Sequence, residues 1–205
     1  MAVYTKISKK DISYINRKFD IEKILEFKGI KQGIENTNYL LKSKNKKFIL
    51  TIFEKRVSKK ELPFFMNLMD KLNKSKINCP KPQTKKDGGY LINLKNKAAC
   101  IVSFLNGKDK KSLNFKNCYD IGKMIAEMHQ STKKINLTRK NSMGVRNLNP
   151  LLKSIKFKSK KFTNVEKFLK NNFKDIKMKW PKNLPNGVIH GDLFIDNIFF
   201  KNNKL

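Results

Sequence analysis

Polar side chains with a fixed spacing lie between two short apolar runs near the end of the printed sequence. The stretch VIHGDLFIDNIFF places His190, Asp192 and Asn197 in the pattern H-x-D-x4-N. Phosphoryl transfer from ATP requires a carboxylate that orients and deprotonates the acceptor hydroxyl, and oxygen ligands for Mg²⁺. The spacing therefore predicts a catalytic loop in which Asp192 is the base, Asn197 is a Mg²⁺ ligand and His190 braces the loop.

An ordinary surface hairpin is the alternative interpretation of this stretch. Asp and Asn are frequent in turns, so none of these residues is informative alone. Their joint spacing between the flanks GVI and NIFF, which we expect to form two very short strands, favours the catalytic loop. Asp196 is assigned no role, because a solvated neighbour is the simpler interpretation.

The elements that must position this loop begin with a strand-rich first half. Ser8 and Asp11 form a capping-box pattern, and apolar residues at helical spacing follow them. Runs rich in apolar and β-branched residues then predict a series of strands. These predicted strands lie near 23–30, 36–43, 47–54, 89–95 and 98–105.

The predicted helices become more frequent towards the end of the sequence. The first follows Ser58 and Glu61, which match the S-x-x-E capping pattern, although Pro63 favours a later start. Further helices are predicted in NFKNCYDIGKMIAEMHQST, after Asn149–Pro150, and in TNVEKFLKNNF with Thr163 and Glu166 as its caps. This order predicts an α+β fold of two lobes: residues 1–105 form an N-lobe with an antiparallel sheet and a helix, and residues 106–205 form a partial, mostly helical C-lobe.

The composition is strongly basic, with a formal net charge of +31. Arg occurs only at positions 17, 56, 139 and 146, so the other 43 basic residues are Lys, spread along the whole sequence. Lys, Asn and Ile share A/T-rich codons, and nucleic-acid sites favour Arg. Codon bias therefore explains the charge better than a nucleic-acid partner, and we predict no specific nucleic-acid binding.

Cysteine usage and hydropathy indicate a cytoplasmic protein. The three cysteines form no CxxC pair, which argues against a zinc ribbon or a disulfide framework and favours buried thiols in a reducing compartment. No apolar run reaches the length of about 20 residues that a membrane span needs. The first residues also lack a signal-peptide pattern, so we expect no membrane partner.

The catalytic-loop stretch HGDLFIDN resembles that of the aminoglycoside phosphotransferase and choline kinase-like family, which shares the protein-kinase architecture. IGKMIAEMHQ is similar to the helix that precedes the loop in that family. The segments MAVYTKIS, GIENTNYLL, FILTIFEKR and KKELPFFMNLMDKLNKSKINCPKP resemble its homoserine kinase branch. The resemblance implies ATP-dependent phosphorylation of L-homoserine to O-phosphohomoserine, on the route to threonine.

The resemblance also implies nucleotide contacts. GIKQGIENTNY would cover the phosphates, with backbone N–H groups near Gly33, Ile34, Glu35 and Asn36. VSFLNG would be the hinge, where the backbone from Ser103 to Leu105 meets the adenine. An ordinary hairpin turn remains the alternative for the first of these stretches.

Two departures from the protein-kinase pattern stand out. Thr51 occupies the strand position where protein kinases carry the phosphate-binding Lys, which leaves Lys55 as a weak substitute. Glu61 matches the Glu that pairs with that Lys, but a helix cap is an equally good interpretation.

The second departure concerns the metal site. The family places a Mg²⁺-binding Asp on a strand after the catalytic loop, and the printed sequence stops at KNNKL. We therefore expect a truncated chain that is inactive or nearly so as it stands.

Several functions remain open beside homoserine kinase. A kinase of the aminoglycoside or choline type would use the same catalytic loop, although a polycationic aminoglycoside favours an acidic cleft and the sequence has only 16 Asp and Glu residues. A pseudokinase would bind nucleotide without transferring phosphate, and a nucleic-acid binder would use the positive charge.

Overall fold

The computed structural model describes residues 3–54, 58–133, 135–142, 144–155 and 163–205. They form two compact units. The first unit contains the described residues up to 137 together with 188–205, and the second covers 138–187. The predicted lobe boundary between residues 105 and 106 stays a prediction.

Among the described residues, the first unit holds a five-stranded sheet and three α-helices, and the second unit holds two further α-helices. The strands are β1 (Glu26–Gly29), β2 (Thr37–Lys42), β3 (Lys47–Ile52), β4 (Leu91–Leu94) and β5 (Lys97–Ser103). The helices are α1 (Lys9–Lys18), α2 (Leu62–Lys74), α3 (Phe115–Lys133), α4 (Val145–Ser154) and α5 (Thr163–Lys179). A short 3₁₀ helix covers Ile195–Asn197.

The sheet is antiparallel throughout, in the order β1-β2-β3-β5-β4. All five strands lie where the apolar runs predicted them. The α+β prediction, with an antiparallel sheet and helices in the first half, is confirmed.

Both faces of the sheet are covered, one by α1 and the other by α2. Side chains along β3 alternate between these two faces. Phe48, Leu50 and Ile52 enter the core that α1 closes, which also contains Ile12, Ile15, Phe19, Leu41 and Ile101. Ile49 faces the other way and packs with Met66 of α2, Cys100 and Val102. Thr51 lies two residues after Ile49, on the same face of the strand, and is half-buried.

The helix starts test the predicted caps. Ser8 and Asp11 form the predicted capping box of α1, with the Ser8 N–H 2.8 Å from an Asp11 carboxylate oxygen. The capping pair on Ser58 and Glu61 is wrong: Glu61 itself is the N-cap of α2, and its side chain makes no capping bond. Pro63 explains the shift, because proline is tolerated only in the first turn of a helix.

The later helices also differ from their predictions. Pro150 does not begin a helix but lies inside α4, whose N-cap is Gly144. Helix α5 starts at Thr163 as predicted but continues to Lys179, well past the predicted end. Glu166 forms an ion pair with Lys170 one turn on. The predicted cap on Thr163 depends on a side chain outside the described part of the chain.

The sequence suggested that all three cysteines are buried, but this prediction is wrong for one of them. Cys100 is buried and Cys79 half-buried, whereas Cys118 is exposed on α3. Burial raises the pKa of Cys100 to about 12 and that of Cys79 to about 11. Within the described residues, no helix is long and apolar enough to cross a membrane.

Candidate active site

The predicted catalytic loop is attached to α3 by apolar residues within the loop and directly after it. Ile198 and Phe200 are buried against Ile121 of α3, and Leu193 packs on the same cluster. His190, Asp192 and Asn197 are exposed to solvent. The apolar side chains therefore anchor the loop while the polar side chains remain available to a substrate.

Hydrogen bonds within the loop connect all three predicted residues. The Asn197 amide nitrogen donates to the Asp192 backbone carbonyl over 2.8 Å. The Asp192 N–H donates to Nδ1 of His190 over 3.3 Å. Gly191 between them has a φ of +76°, a backbone conformation that favours glycine. The structure thus brings the three residues into one turn, as their spacing predicted.

The two very short strands predicted on either side of the loop are wrong. Residues 187–189 form no strand, and a 3₁₀ turn at Ile195–Asn197 replaces the start of the second. Only Phe200 makes a strand-like bridge, to Lys108. Apolar runs this short do not distinguish a strand from an anchored loop.

The residues at 107–110 support the end of the loop. A Cβ atom on Gly107 would lie 3.0 Å from Cβ of Phe199, so a larger residue would press on the loop. The Lys110 ammonium lies 4.6 Å from the centre of the Phe200 ring and also bonds to Asn117 at the start of α3. Loop and helix are therefore held together from a second side.

The donor set suits a Mg²⁺ ion that arrives with nucleotide phosphates. Asn197 uses its amide nitrogen on Asp192, so its amide oxygen can act as a ligand. Among the described residues, no three His, Cys, Asp or Glu side chains cluster as a metal site. Mg²⁺ commonly binds through one or two protein groups plus substrate phosphates and water, and this loop fits that mode.

The predicted phosphate loop lies between β1 and β2. Gly33 has a φ of +103°, and Ile34 is 85% exposed. The Tyr4 hydroxyl donates to the Ile34 carbonyl over 2.8 Å, and the Asn36 side-chain oxygen accepts the Glu54 N–H over 3.3 Å. Glu35 is also exposed. The phosphate contacts of this loop stay predictions.

Thr51 is engaged with the neighbouring strand. Its hydroxyl donates to Oδ1 of Asn38 on β2 over 2.8 Å. Nδ2 of Asn38 lies 3.8 Å from the position that a Cβ on Gly33 would take. Glu61 caps α2 through its backbone and is half-buried. Lys55 lies outside the described residues.

The predicted hinge already uses part of its hydrogen-bonding capacity within the protein. The Ser103 N–H donates to the Lys81 carbonyl over 2.8 Å, and the Ser103 hydroxyl accepts the Lys81 N–H over 2.9 Å. The Phe104 N–H donates to Lys47. Leu105, which is half-buried, is therefore the better candidate for an N–H donor to adenine. The hinge assignment stays a prediction.

Sequence reasoning missed a polar cluster beside the phosphate loop. Glu54, two residues after the end of β3, accepts hydrogen bonds from Thr5, Thr37 and Lys97. These residues are far apart in the sequence. The one sequence feature that could have indicated this cluster is a charged residue, Glu54, at the end of an apolar run.

Comparison with known proteins identifies the family. The family model described as "Phosphotransferase enzyme family" matches residues 26–205. A homoserine kinase from Rhizobium etli is 36% identical over the whole chain, and one from Paramagnetospirillum magneticum is 38% identical. The chain spans 64% and 63% of the length of these two relatives.

Solved structures share the fold. Spectinomycin phosphotransferase in complex with ADP and spectinomycin aligns with a TM-score of 0.66 at 15% identity, over 97% of this chain and 67% of that one. A microcompartment-associated aminopropanol kinase aligns with a TM-score of 0.55 at 13% identity, over 70% of this chain and 47% of that one. These proteins share the kinase-like fold that the resemblance implied. The chain belongs to the phosphotransferase enzyme family.

Proposed function

We propose that the protein transfers the γ-phosphoryl group of ATP to the side-chain hydroxyl of L-homoserine. The observation that carries this proposal is the exposed Asp192, held in one turn with His190 and Asn197. The similarity of the whole chain to two homoserine kinases supports the choice of acceptor.

Asp192 acts as the base in the proposed reaction. Its carboxylate accepts the proton of the homoserine hydroxyl as the hydroxyl oxygen attacks the γ-phosphorus. The bond between the γ-phosphorus and the β–γ bridging oxygen breaks, and ADP leaves with that oxygen. The products are ADP, O-phospho-L-homoserine and the proton now on Asp192.

The remaining groups orient the reactants. Asn197 holds the Asp192 backbone and offers its amide oxygen to Mg²⁺, which offsets the charge of the ATP phosphates when it is bound. His190 braces the turn from the other side through the Asp192 N–H. The loop around Gly33 covers the phosphates, and the backbone near Leu105 receives the adenine.

An acceptor panel tests the proposal. The gene's full product, expressed from its own start codon to its own stop codon, is supplied with ATP, Mg²⁺ and one acceptor at a time. The acceptors are L-homoserine, choline, an aminoglycoside and spectinomycin. We expect ADP release with L-homoserine alone, and O-phospho-L-homoserine by ³¹P NMR. Turnover of another acceptor without turnover of homoserine would overturn the assignment.

A further inference from the structure

Glu54 is a carboxylate that the reaction does not use, yet it is almost enclosed. Its side chain is 10% exposed. The Thr5 hydroxyl donates to Oε1 over 2.7 Å and the Thr37 hydroxyl over 2.6 Å, while the Lys97 ammonium pairs with Oε2. Lys97 also donates to the Thr5 hydroxyl over 2.7 Å. We call Thr5, Thr37, Glu54 and Lys97 the clasp.

The clasp fastens the N-terminal segment onto the sheet. The Thr37 hydroxyl accepts the backbone N–H groups of Tyr4 and Thr5, over 2.9 and 3.1 Å. The Thr5 carbonyl accepts the Tyr39 hydroxyl over 3.0 Å. Removal of the Glu54 charge would leave the Lys97 ammonium without its carboxylate and would weaken the hydrogen bonds that the two hydroxyls donate.

The same cluster holds one end of the loop between β1 and β2. Thr37 is the first residue of β2, so the loop ends on the clasp. The Glu54 N–H donates to the Asn36 side chain, and the Tyr4 hydroxyl donates to the Ile34 carbonyl. Thus Ile34, Asn36 and Thr37 are each bonded to Glu54 or to the segment that Glu54 fixes.

The ion pair is only partly buried, with the Lys97 side chain 35% exposed, and such a pair is weak evidence for a role in stability alone. The desolvation of two charges offsets most of their attraction, and an apolar pair of similar shape is often at least as stable. Buried polar groups are better suited to fixing one particular arrangement. What Glu54 fixes here is the position of a loop that is otherwise exposed around Gly33 and Ile34.

We propose that Glu54 is a positioning residue for nucleotide binding: through the clasp it holds the loop at residues 33–36 in the conformation that receives the ATP phosphates. This inference rests on the proposed function, because it takes that loop to be the phosphate-covering loop. A loop ordered before binding costs less entropy when the nucleotide arrives. Glu54 therefore acts on nucleotide affinity without touching the nucleotide.

The test compares Glu54→Gln with Asp11→Asn. Asp11 is a matched carboxylate: its side chain is 14% exposed, it pairs with Lys95, and it bonds to Ser8 rather than to the loop. ADP affinity with Mg²⁺ is measured by calorimetry on the gene's full product and on each variant of it, and the melting temperature of each protein is measured as well. We expect both variants to melt earlier, but only Glu54→Gln to lose affinity, by about tenfold.

Two further readouts separate positioning from stability. Hydrogen exchange at residues 31–36 is expected to accelerate in Glu54→Gln and to stay unchanged in Asp11→Asn. In the full gene product, the KM for ATP is expected to rise several-fold in Glu54→Gln while kcat changes less than twofold. A general loss of structure would change both kinetic constants and exchange throughout the unit.

A second pair of variants, each lacking only one hydroxyl group, keeps the test decisive if Glu54→Gln does not fold. Tyr4→Phe removes only the hydroxyl that bonds to Ile34, and Tyr119→Phe removes an exposed hydroxyl on α3. We expect about threefold weaker ADP binding in the first variant and no change in the second. Unchanged affinity in Tyr4→Phe, or equal losses in Glu54→Gln and Asp11→Asn, would overturn the positioning role. If the unaltered protein binds no ADP, the proposed function itself fails.

Discussion

The side-chain amide of Asn197 donates a hydrogen bond to the backbone carbonyl of Asp192, with 2.8 Å between nitrogen and oxygen. This bond closes the turn across the D-x4-N spacing. It sets the position of the Asp192 backbone and directs the amide oxygen of Asn197 to another partner. In the proposed mechanism, Asn197 would thereby both orient the base and bind Mg²⁺.

Replacement of Asn197 by Ala should affect catalysis more than folding. The change removes the bond to Asp192 and the amide oxygen, and the loss of such a supporting group typically costs about 10- to 100-fold. In the full gene product we expect kcat to fall by that factor and the Mg²⁺ midpoint to rise. An unchanged Mg²⁺ midpoint in steady-state assays would exclude Asn197 as a ligand.

Glu54 should make stability depend on pH below its ordinary pKa of 4.5. Burial by itself would raise the pKa of Glu54, but hydrogen bonds from Lys97, Thr37 and Thr5 outweigh it and lower that pKa. A carboxylate with a lowered pKa stabilises the fold above its unfolded-state pKa, and this contribution is lost as the pH falls through the folded-state value.

The pH prediction is measured as a difference between two proteins. Melting temperatures of the unaltered protein and of Glu54→Gln are compared from pH 7 down to pH 3, so that other acidic groups cancel. We expect the advantage of the unaltered protein to be constant above about pH 5 and to shrink below it. A difference that grows on acidification would contradict the assignment.

Gly29 should not tolerate a methyl group, because the N-terminal segment lies too close. A Cβ at this position would be 2.9 Å from Cγ2 of Val3, a short branched side chain that has little room to adjust. Gly29→Ala should cost about 1–3 kcal/mol in the free energy of unfolding.

A double mutant and a control make the Gly29 prediction specific. Val3→Ala should recover part of the loss in the Gly29→Ala background, as chemical denaturation would show. Gly122→Ala on α3, where nothing lies within 4 Å, should be neutral or stabilising. Strictly additive effects of Val3→Ala and Gly29→Ala would disprove the contact.

The cysteines should differ in reactivity towards a thiol reagent. Burial raises the pKa of Cys100 to about 12 and that of Cys79 to about 11, so little thiolate forms at neutral pH. Cys118 is exposed on α3. With Ellman's reagent we expect one fast thiol in the native protein and three after denaturation. Cys118→Ser should abolish the fast phase, and a remaining fast thiol would show that the burial is incorrect.

The sequence predicted most of the sheet and the turn that brings His190, Asp192 and Asn197 together. Phe48, Leu50 and Ile52 enter one core and Ile49 packs on the opposite face, so the nearly continuous apolar run reflects a strand that is covered on both faces. The spacing of Asp192 and Asn197 was equally informative, because the turn that joins them is local. Contacts between neighbours in sequence leave a local pattern.

What the sequence did not reveal depends on residues that are distant in the chain. Thr5 and Lys97 meet at Glu54, and no local pattern records their contact. The flanks of the predicted catalytic loop were predicted as strands because short apolar runs look alike whether they pair with a strand or pack on a helix. Ile198 shows the second outcome, since it is buried against α3 and forms no strand.

The most direct test of Asp192 as the base in phosphoryl transfer is the rate of homoserine-dependent ADP release by the gene's full product. Asp192→Asn should lower the rate by about 100- to 10,000-fold, the usual contribution of a positioned general base. Asp196→Asn, which removes an exposed carboxylate four residues away, should stay within about twofold of the unaltered rate. Equal rates for Asp192→Asn and Asp196→Asn, or no homoserine-dependent ADP release from the unaltered protein, would contradict the assignment.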